Sequence, residues 1–262
     1  VTYYGHSDED RWRAQADIYR RRKGGKFENL QALWHELADV LKTYDAIMVM
    51  DDDVIIDAPR INKLFELRRT HNLLCLQPAF ETRGKISHAI TAVQPGNRLR
   101  LTNFIEMTCP LFATPALLKF LDGFDPALKG WGADWWFLTV IARTAISLHK
   151  DSTKDCEATP AISLRGVCAV VDAVTCINPT DHDKGGLREI NTLQGREQRR
   201  AVWEAISQRE DIHEWHHLEF GSVWLTADGQ PDLASTLATK WTSKPPRIRG
   251  CRSYETAPVK EL

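Results

Sequence analysis

The segment Tyr44-Asp45-Ala46-Ile47-Met48-Val49-Met50-Asp51-Asp52-Asp53-Val54 constrains the fold more than any other stretch of the chain. Its apolar run predicts a strand over Tyr44–Met50 that is buried on both faces, the pattern of parallel sheets. Three consecutive carboxylates follow at its C-terminal end. Open α/β sheets bind their ligands outside the carboxyl ends of the strands. Adjacent carboxylates repel one another unless a cation or hydrogen-bond donors compensate. On extended backbone Asp51 and Asp53 point to the same side. Together they suit a hard divalent ion, Mg²⁺ or Mn²⁺, which takes oxygen ligands while gripping phosphate. The plain alternative is a solvated acidic turn.

The flanking sequence supplies the rest of a sheet. Val1–Gly5 and Asp17–Tyr19 read as short strands. Leu30, Leu33, Trp34, Leu37, Val40 and Leu41 form one apolar stripe at helical spacing. Pro59–Arg69 reads as a helix with proline at an early position. Leu73–Leu76 and Val167–Ile177 read as strands, and Ile86–Val93 with Arg98–Met107 as a hairpin around Gln94-Pro95-Gly96. Helices are expected from Thr114 to about Leu121 and from Ala133 to Ile146. This alternation predicts a mixed, Rossmann-like open α/β sheet flanked by helices over residues 1–185. Residues 186–262 are more polar, with one helix near Glu197–Ser207 and a Pro- and Arg-containing tail after Lys244; they read as a C-terminal helical extension packed on the domain.

Overall charge excludes one class of partner. With 34 Lys+Arg against 35 Asp+Glu, the chain has no global pull toward nucleic acid or anionic membranes. Apolar runs such as Ala46–Met50 fall far short of the ~20 residues that span a bilayer. A cytoplasmic location is expected; a membrane-associated or Golgi-lumen location is the alternative if an anchor precedes Val1. The six cysteines contain no C-x-x-C pair, so zinc-ribbon and thioredoxin spacings are absent.

Three further segments carry chemistry. Gly130-Trp131-Gly132-Ala133-Asp134-Trp135-Trp136 sets Asp134 at a helix start, either as a cap or in a pocket walled by Trp131, Trp135 and Trp136. In such a pocket burial raises a carboxyl toward the range of a general base. Asp181-His182-Asp183 follows the last strand, so His182 is a candidate further metal ligand, its tautomer fixed by a neighbouring acid. The run Arg20–Lys26 holds five cationic side chains suited to phosphate, or forms a solvated basic turn.

Taken together, Asp51-Asp52-Asp53, Gly130-Trp131-Gly132-x-Asp134 and the late His182 resemble a GT-A-type nucleotide-sugar glycosyltransferase. Leu76-Gln77-Pro78-Ala79, Ser87-His88-Ala89-Ile90-Thr91 and Phe104-Ile105-Glu106-Met107-Thr108-Cys109-Pro110-Leu111-Phe112 narrow the likeness. In the same order, they are similar to the plant and bacterial domain-of-unknown-function family seven hundred and seven, over roughly residues 26 to 185. The resemblance implies a GT-A-like fold and transfer of a sugar from a nucleoside-diphosphate sugar to an acceptor hydroxyl, with inversion. It implies Asp53 as direct metal ligand, Asp51 as ribose or metal contact, and Asp134 as catalytic base or acceptor-orienting carboxylate. Asp52, Lys26 and Trp131 would complete the donor site. Some inverting galactosyltransferases place a second acid directly after the base; here Trp135 stands there, and Glu106 is the next candidate carboxylate.

Two rival readings stay open. His213-Glu214-Trp215-His216-His217 matches H-E-x-x-H, the zinc-metalloprotease signature, in which His213 and His217 bind zinc from one helix face and Glu214 is the base. A non-catalytic sugar- or nucleotide-binding module with the same fold would need the metal cluster but no base.

Overall fold

The computed structural model describes residues 1–3, 13–149, 159–183 and 190–224. Its centre is a mixed six-stranded sheet. In chain order the sheet strands are β3 (Ala46–Met48), β4 (Cys75–Phe80), β5 (Asn97–Thr102), β6 (Leu111–Ala113), β7 (Cys168–Cys176) and β8 (Glu219–Trp224). They lie side by side in the order β3-β6-β4-β7-β5-β8. Only β4 and β7 pair in parallel; the other neighbours are antiparallel. A separate parallel pair joins β1 (Thr2–Tyr3) to β2 (Arg20–Arg21).

Alternation along the strands divides the apolar residues between two faces. Cys75, Phe112 and Cys168 meet α1 (Lys26–Leu41), α3 (Thr114–Gly123) and α4 (Ala133–His149) through Phe27, Trp34, Phe120 and Phe137. Their neighbours Leu76, Leu111 and Ala169 face the other way, onto Leu64 and Leu67 of α2 (Ala58–Thr70). Both faces are therefore covered, giving three layers. Phe27 stands edge-on to Phe120 at 5.2 Å and Phe112 to Phe137 at 5.1 Å, the arrangement that aromatic quadrupoles favour. The Asp57 side chain caps α2 by accepting from the Arg60 amide at 2.9 Å.

Four sequence expectations change. The strand over Tyr44–Met50 is shorter, half-buried and at the sheet edge. It pairs antiparallel with β6, a strand of three residues too short to show periodicity. Because β6 separates them, β3 and β4 still run in the same direction. The hairpin around Gln94-Pro95-Gly96 is absent: Ala89–Thr91 form a 3₁₀ turn, and β5 pairs with β7 and β8 instead. Residues beyond 185 are not only helical, since β8 adds an edge strand to the same sheet; the short α5 (Pro160–Ser163) precedes β7, and α6 (Ile190–Leu193) and α7 (Arg196–Arg209) precede β8. The short strand expected at Asp17–Tyr19 forms instead immediately after that segment, at Arg20–Arg21. The tail after Lys244 lies outside the described residues.

One buried ion pair ties the far half of the sheet together. Arg100 on β5 and Asp172 on β7 are both almost fully buried. Arg100 donates to the two Asp172 oxygens at 2.8 and 3.1 Å, and to the carbonyls of Ile90 and Ala92 at 2.9 and 2.8 Å. No described helix is long and apolar enough to cross a membrane.

Candidate functional site

The strands β3, β4 and β7 deliver their C-terminal ends to one edge of the sheet, and a cleft of about 860 Å³ opens there. Asp51, Asp52 and Asp53 line it together with Lys23, Lys26, Ser87 and Glu106. The aspartates do not continue the strand as extended backbone. The Val54 amide donates to the Asp51 carbonyl at 3.3 Å, closing a turn. The alternation that would aim Asp51 and Asp53 to one side is thus lost, yet the turn presents all three residues to the cleft. Its flanks are fixed by backbone hydrogen bonds, from the Asp51 amide to Thr108 and between Ile55 and Ile177.

Compensation for the carboxylates comes from the first residue of α1. Lys26 Nζ lies 2.7 Å from Asp51 Oδ1 and donates to the carbonyls of Met107 and Thr108. Of the basic run, Lys23 and Lys26 reach the cleft. Arg20 pairs instead with Glu36, and Arg22 with Glu28. Glu28 also accepts from the Gly25 amide at 2.9 Å and from Lys129 Nζ. It therefore fixes the Gly24-Gly25 turn beside the loop that carries Trp131. A Cβ on Gly24 would sit 2.6 Å from the Glu28 carboxylate, so a larger residue there would displace that side chain.

Two carboxyl groups are held above their ordinary range. Asp134, the second residue of α4, is 7% exposed. Burial lifts its pKa from 3.8 to about 7, with the charges of Glu106 and Glu214 adding to the rise, while its bond from the Trp135 amide at 3.0 Å opposes it. Glu106 is 5% exposed, and its pKa is also raised, chiefly by burial. The Thr108 hydroxyl donates to Glu106 Oε1 at 2.9 Å and Gln77 Oε1 receives the Glu106 amide at 2.5 Å. Glu106 lines the cleft; Asp134 is not among its lining residues. Rather than lying on a strand, Glu106 sits in the irregular segment between β5 and β6.

The three tryptophans do not wall one pocket. Trp135 and Trp136 are buried in the core, Trp135 stacked on His217 at 5.7 Å and Trp136 beside Phe124 at 5.5 Å. Trp131 is exposed and lines a second groove, outside the acidic cleft. Gly130 and Gly132 have φ of +105° and +95°, values that L side chains rarely adopt. A Cβ on Gly132 would also meet the Trp203 ring at 2.2 Å.

His182 is exposed and is not among the cleft's lining residues. The acids beside it serve other partners: Asp181 accepts from Lys85 at 3.1 Å, and Asp183 accepts from the Thr180 hydroxyl and amide at 2.6 and 2.9 Å. Those bonds hold the Asp183 pKa below its ordinary value. Among the described residues no three His, Cys, Asp or Glu side chains converge as a metal-ligand set. The H-E-x-x-H segment lacks its helix, because α7 ends at Arg209. His213 is exposed and bonds Asp211 at 3.0 Å, whereas His217 packs on Trp135, Phe104 and His88. Burial depresses His88 and His217 to about 4. The spacing therefore does not set two imidazoles on one helix face.

Sequence reading missed the positions of Ser87, Thr108 and Asn178 in the cleft wall. Each is a small polar residue in a loop, without a spacing that would single it out. The four described cysteines, Cys75, Cys109, Cys168 and Cys176, are free thiols. No known protein-family model matches the chain, and no curated protein or solved structure is significantly similar to it.

Proposed function

We propose that the chain is a divalent-metal-dependent glycosyltransferase that takes a nucleoside-diphosphate sugar as donor and a hydroxyl as acceptor, with inversion. One observation carries this reading. A cleft at the carboxyl end of the sheet brings four aspartates, Asp51, Asp52, Asp53 and Asp183, and three lysines, Lys23, Lys26 and Lys85, together next to Glu106, a carboxyl whose pKa is raised by burial. The donor set suits the metal: Mg²⁺ and Mn²⁺ bind through one or two carboxylates plus substrate phosphates and water, so no three-residue protein cage is required. Asp51 and Asp53 are the residues that would hold it. When bound, the ion stabilises charge on the departing diphosphate as a Lewis acid.

The chain's own groups supply the remaining steps. Lys26 and Lys23 offer cations to the diphosphate, and Lys26 changes partner from Asp51 as phosphate arrives. Glu106 faces the cleft and takes the proton of the attacking hydroxyl. Asp134 lies outside the cleft lining, and the charge of ionised Glu106 adds to the burial that keeps the Asp134 proton in place. The base role expected of Asp134 passes to Glu106 in this reading.

Thermal denaturation with uridine, guanosine, adenosine and cytidine diphosphates, each with and without Mn²⁺, tests the proposal. A ligand at a hundred times its dissociation constant stabilises the folded state by about 2.7 kcal/mol. A metal-dependent rise is expected with one nucleotide and is expected to disappear in Asp53→Asn. If every nucleotide leaves the transition unmoved with Mn²⁺ present, the reading fails.

A further inference from the structure

The second groove, about 640 Å³, is lined by Trp131, Asn191, Gly195, Arg196 and Arg199. It adjoins the acidic cleft along the same two chain segments. Gly130 lines the cleft and Trp131 the groove; Ile190, Thr192 and Leu193 line the cleft and Asn191 the groove. The electrostatic character changes sign between them, since the groove has two arginines and no carboxylate in its lining.

Its parts are held in place. Trp131 is 45% exposed and stands between two glycines in the left-handed region, where a Cβ would come within 2.7 Å of Ile190 and 2.2 Å of the Trp203 ring. An outward aromatic face is a stacking surface for the C–H face of a sugar ring. Arg199 donates to the carbonyls of Ile190 and Gln194 at 3.2 and 2.7 Å and, through both terminal nitrogens, to Asn191 Oδ1 at 3.1 Å. Those bonds orient the Asn191 amide with its nitrogen as the donor end. Arg196 is exposed at the first position of α7, whose N-cap, Gly195, brings no side-chain acceptor to the helix amides. The helix end and the guanidinium both favour an anion there. Glu197, the acid in that first turn, is not part of the groove's lining.

We propose that this groove binds an acidic saccharide, with a hexuronate ring on Trp131 and its carboxylate at Arg196, and that it is the acceptor subsite of the adjoining cleft. The acceptor role rests on the transferase reading above; saccharide binding in the groove does not. Trigalacturonate and its methyl ester, titrated into the intact chain without nucleotide or metal and followed by calorimetry, separate ring stacking from charge recognition. The acid is expected to bind about fivefold or more tightly than the ester. Arg196→Gln should bring the acid down to the ester's affinity, and Trp131→Ala should weaken both. Both side chains are exposed, so unchanged melting curves will show that the variants fold. Absence of binding by the unaltered chain overturns the proposal, as does equal affinity in both variants. If the saccharide binds through Trp131 and Arg196 but no nucleoside diphosphate stabilises the protein, the acceptor assignment falls. If nucleotide binds and saccharide does not, the groove proposal falls alone.

Discussion

Asp134→Asn should make the protein more stable at pH 8, because asparagine fills the buried site without a proton to release. The carboxyl is buried at the start of α4, and its pKa rises from 3.8 to about 7 in the folded chain. Between those values the native state keeps a proton that the unfolded state has released. Unfolding therefore loses a proton, and stability falls as pH rises through that window, then stays level above it. A shift of about three units at about 1.4 kcal/mol each gives about 4 kcal/mol, an upper limit because local relaxation and water reduce the burial cost. Asparagine keeps the shape and cannot ionise.

The measurement is a set of urea or thermal denaturation curves from pH 4.5 to 8.5 on both proteins. At pH 4.5 the two should unfold nearly together. At pH 8 the variant should be more stable by about 2–4 kcal/mol, a rise in melting temperature of roughly 4–12 °C for a chain of this size. Taking the difference between the two proteins matters because His88 and His217 contribute with the opposite sign. Their folded pKa values of about 4 lie below 6.5, so their stabilisation is full above pH 6.5 and is lost as pH falls toward 4. Those contributions cancel in the difference. Identical pH dependence in the two proteins would refute the reasoning, since Asp134 would then titrate like an exposed carboxylate.

Glu106→Gln should remove a smaller slope of the same sign and abolish sugar transfer, with donor binding retained; loss of nucleotide binding as well would place Glu106 outside the chemistry. Gly132→Ala forces a Cβ to 2.2 Å from the Trp203 ring at φ +95°, and should cost about 2 kcal/mol or more in urea denaturation. Asp172→Ala leaves the fully buried Arg100 guanidinium with only the part-exposed Glu219 carboxylate at 3.4 Å and should cost about 3–5 kcal/mol, whereas replacing both Arg100 and Asp172 by apolar residues of similar volume should recover most of that loss. Lys26→Met should weaken nucleoside diphosphate binding in a salt-dependent way, measured by calorimetry at two ionic strengths.

How much of this was legible depended on how far along the chain each cause lay. The stripe Leu30–Leu41 and the apolar run at β7 are local patterns, and both elements form where those patterns stand. The acidic strand end is legible for the same reason: Asp51–Asp53 are consecutive, and any strand that stops at Met48 must present them. What failed was set by distant segments. The apolar run before the aspartates is the same whether β3 is central or at an edge. Its one partner among the described strands is Leu111–Ala113, some sixty residues later and antiparallel, and its other side is left as the edge. Asp183 beside His182 reads as a tautomer-fixing acid until Thr180 captures its carboxylate. H-E-x-x-H requires a helix, and Asp211, with φ of +52°, follows directly after the C-cap of α7.

The same distinction explains why charge neutrality over the whole chain gives so little guidance. Lys26 and Asp51 are 2.7 Å apart, yet they come from a helix start and a strand end separated by a complete helix. Thr108 and Met107, from a third segment, hold the lysine's remaining donors. A buried or half-buried carboxylate cluster needs such a cation to be stable before any ligand arrives. A lysine is suited to that task, because its flexible stem lets the ammonium change partner at small cost. The fold thus keeps the acidic cleft intact in the empty state with a cation that an incoming diphosphate can attract. The second groove keeps its two arginines apart from those aspartates, across α6. Opposite charges separated in this way allow two anionic groups to be received side by side, one with its own cation and one on the arginines, without either site neutralising the other.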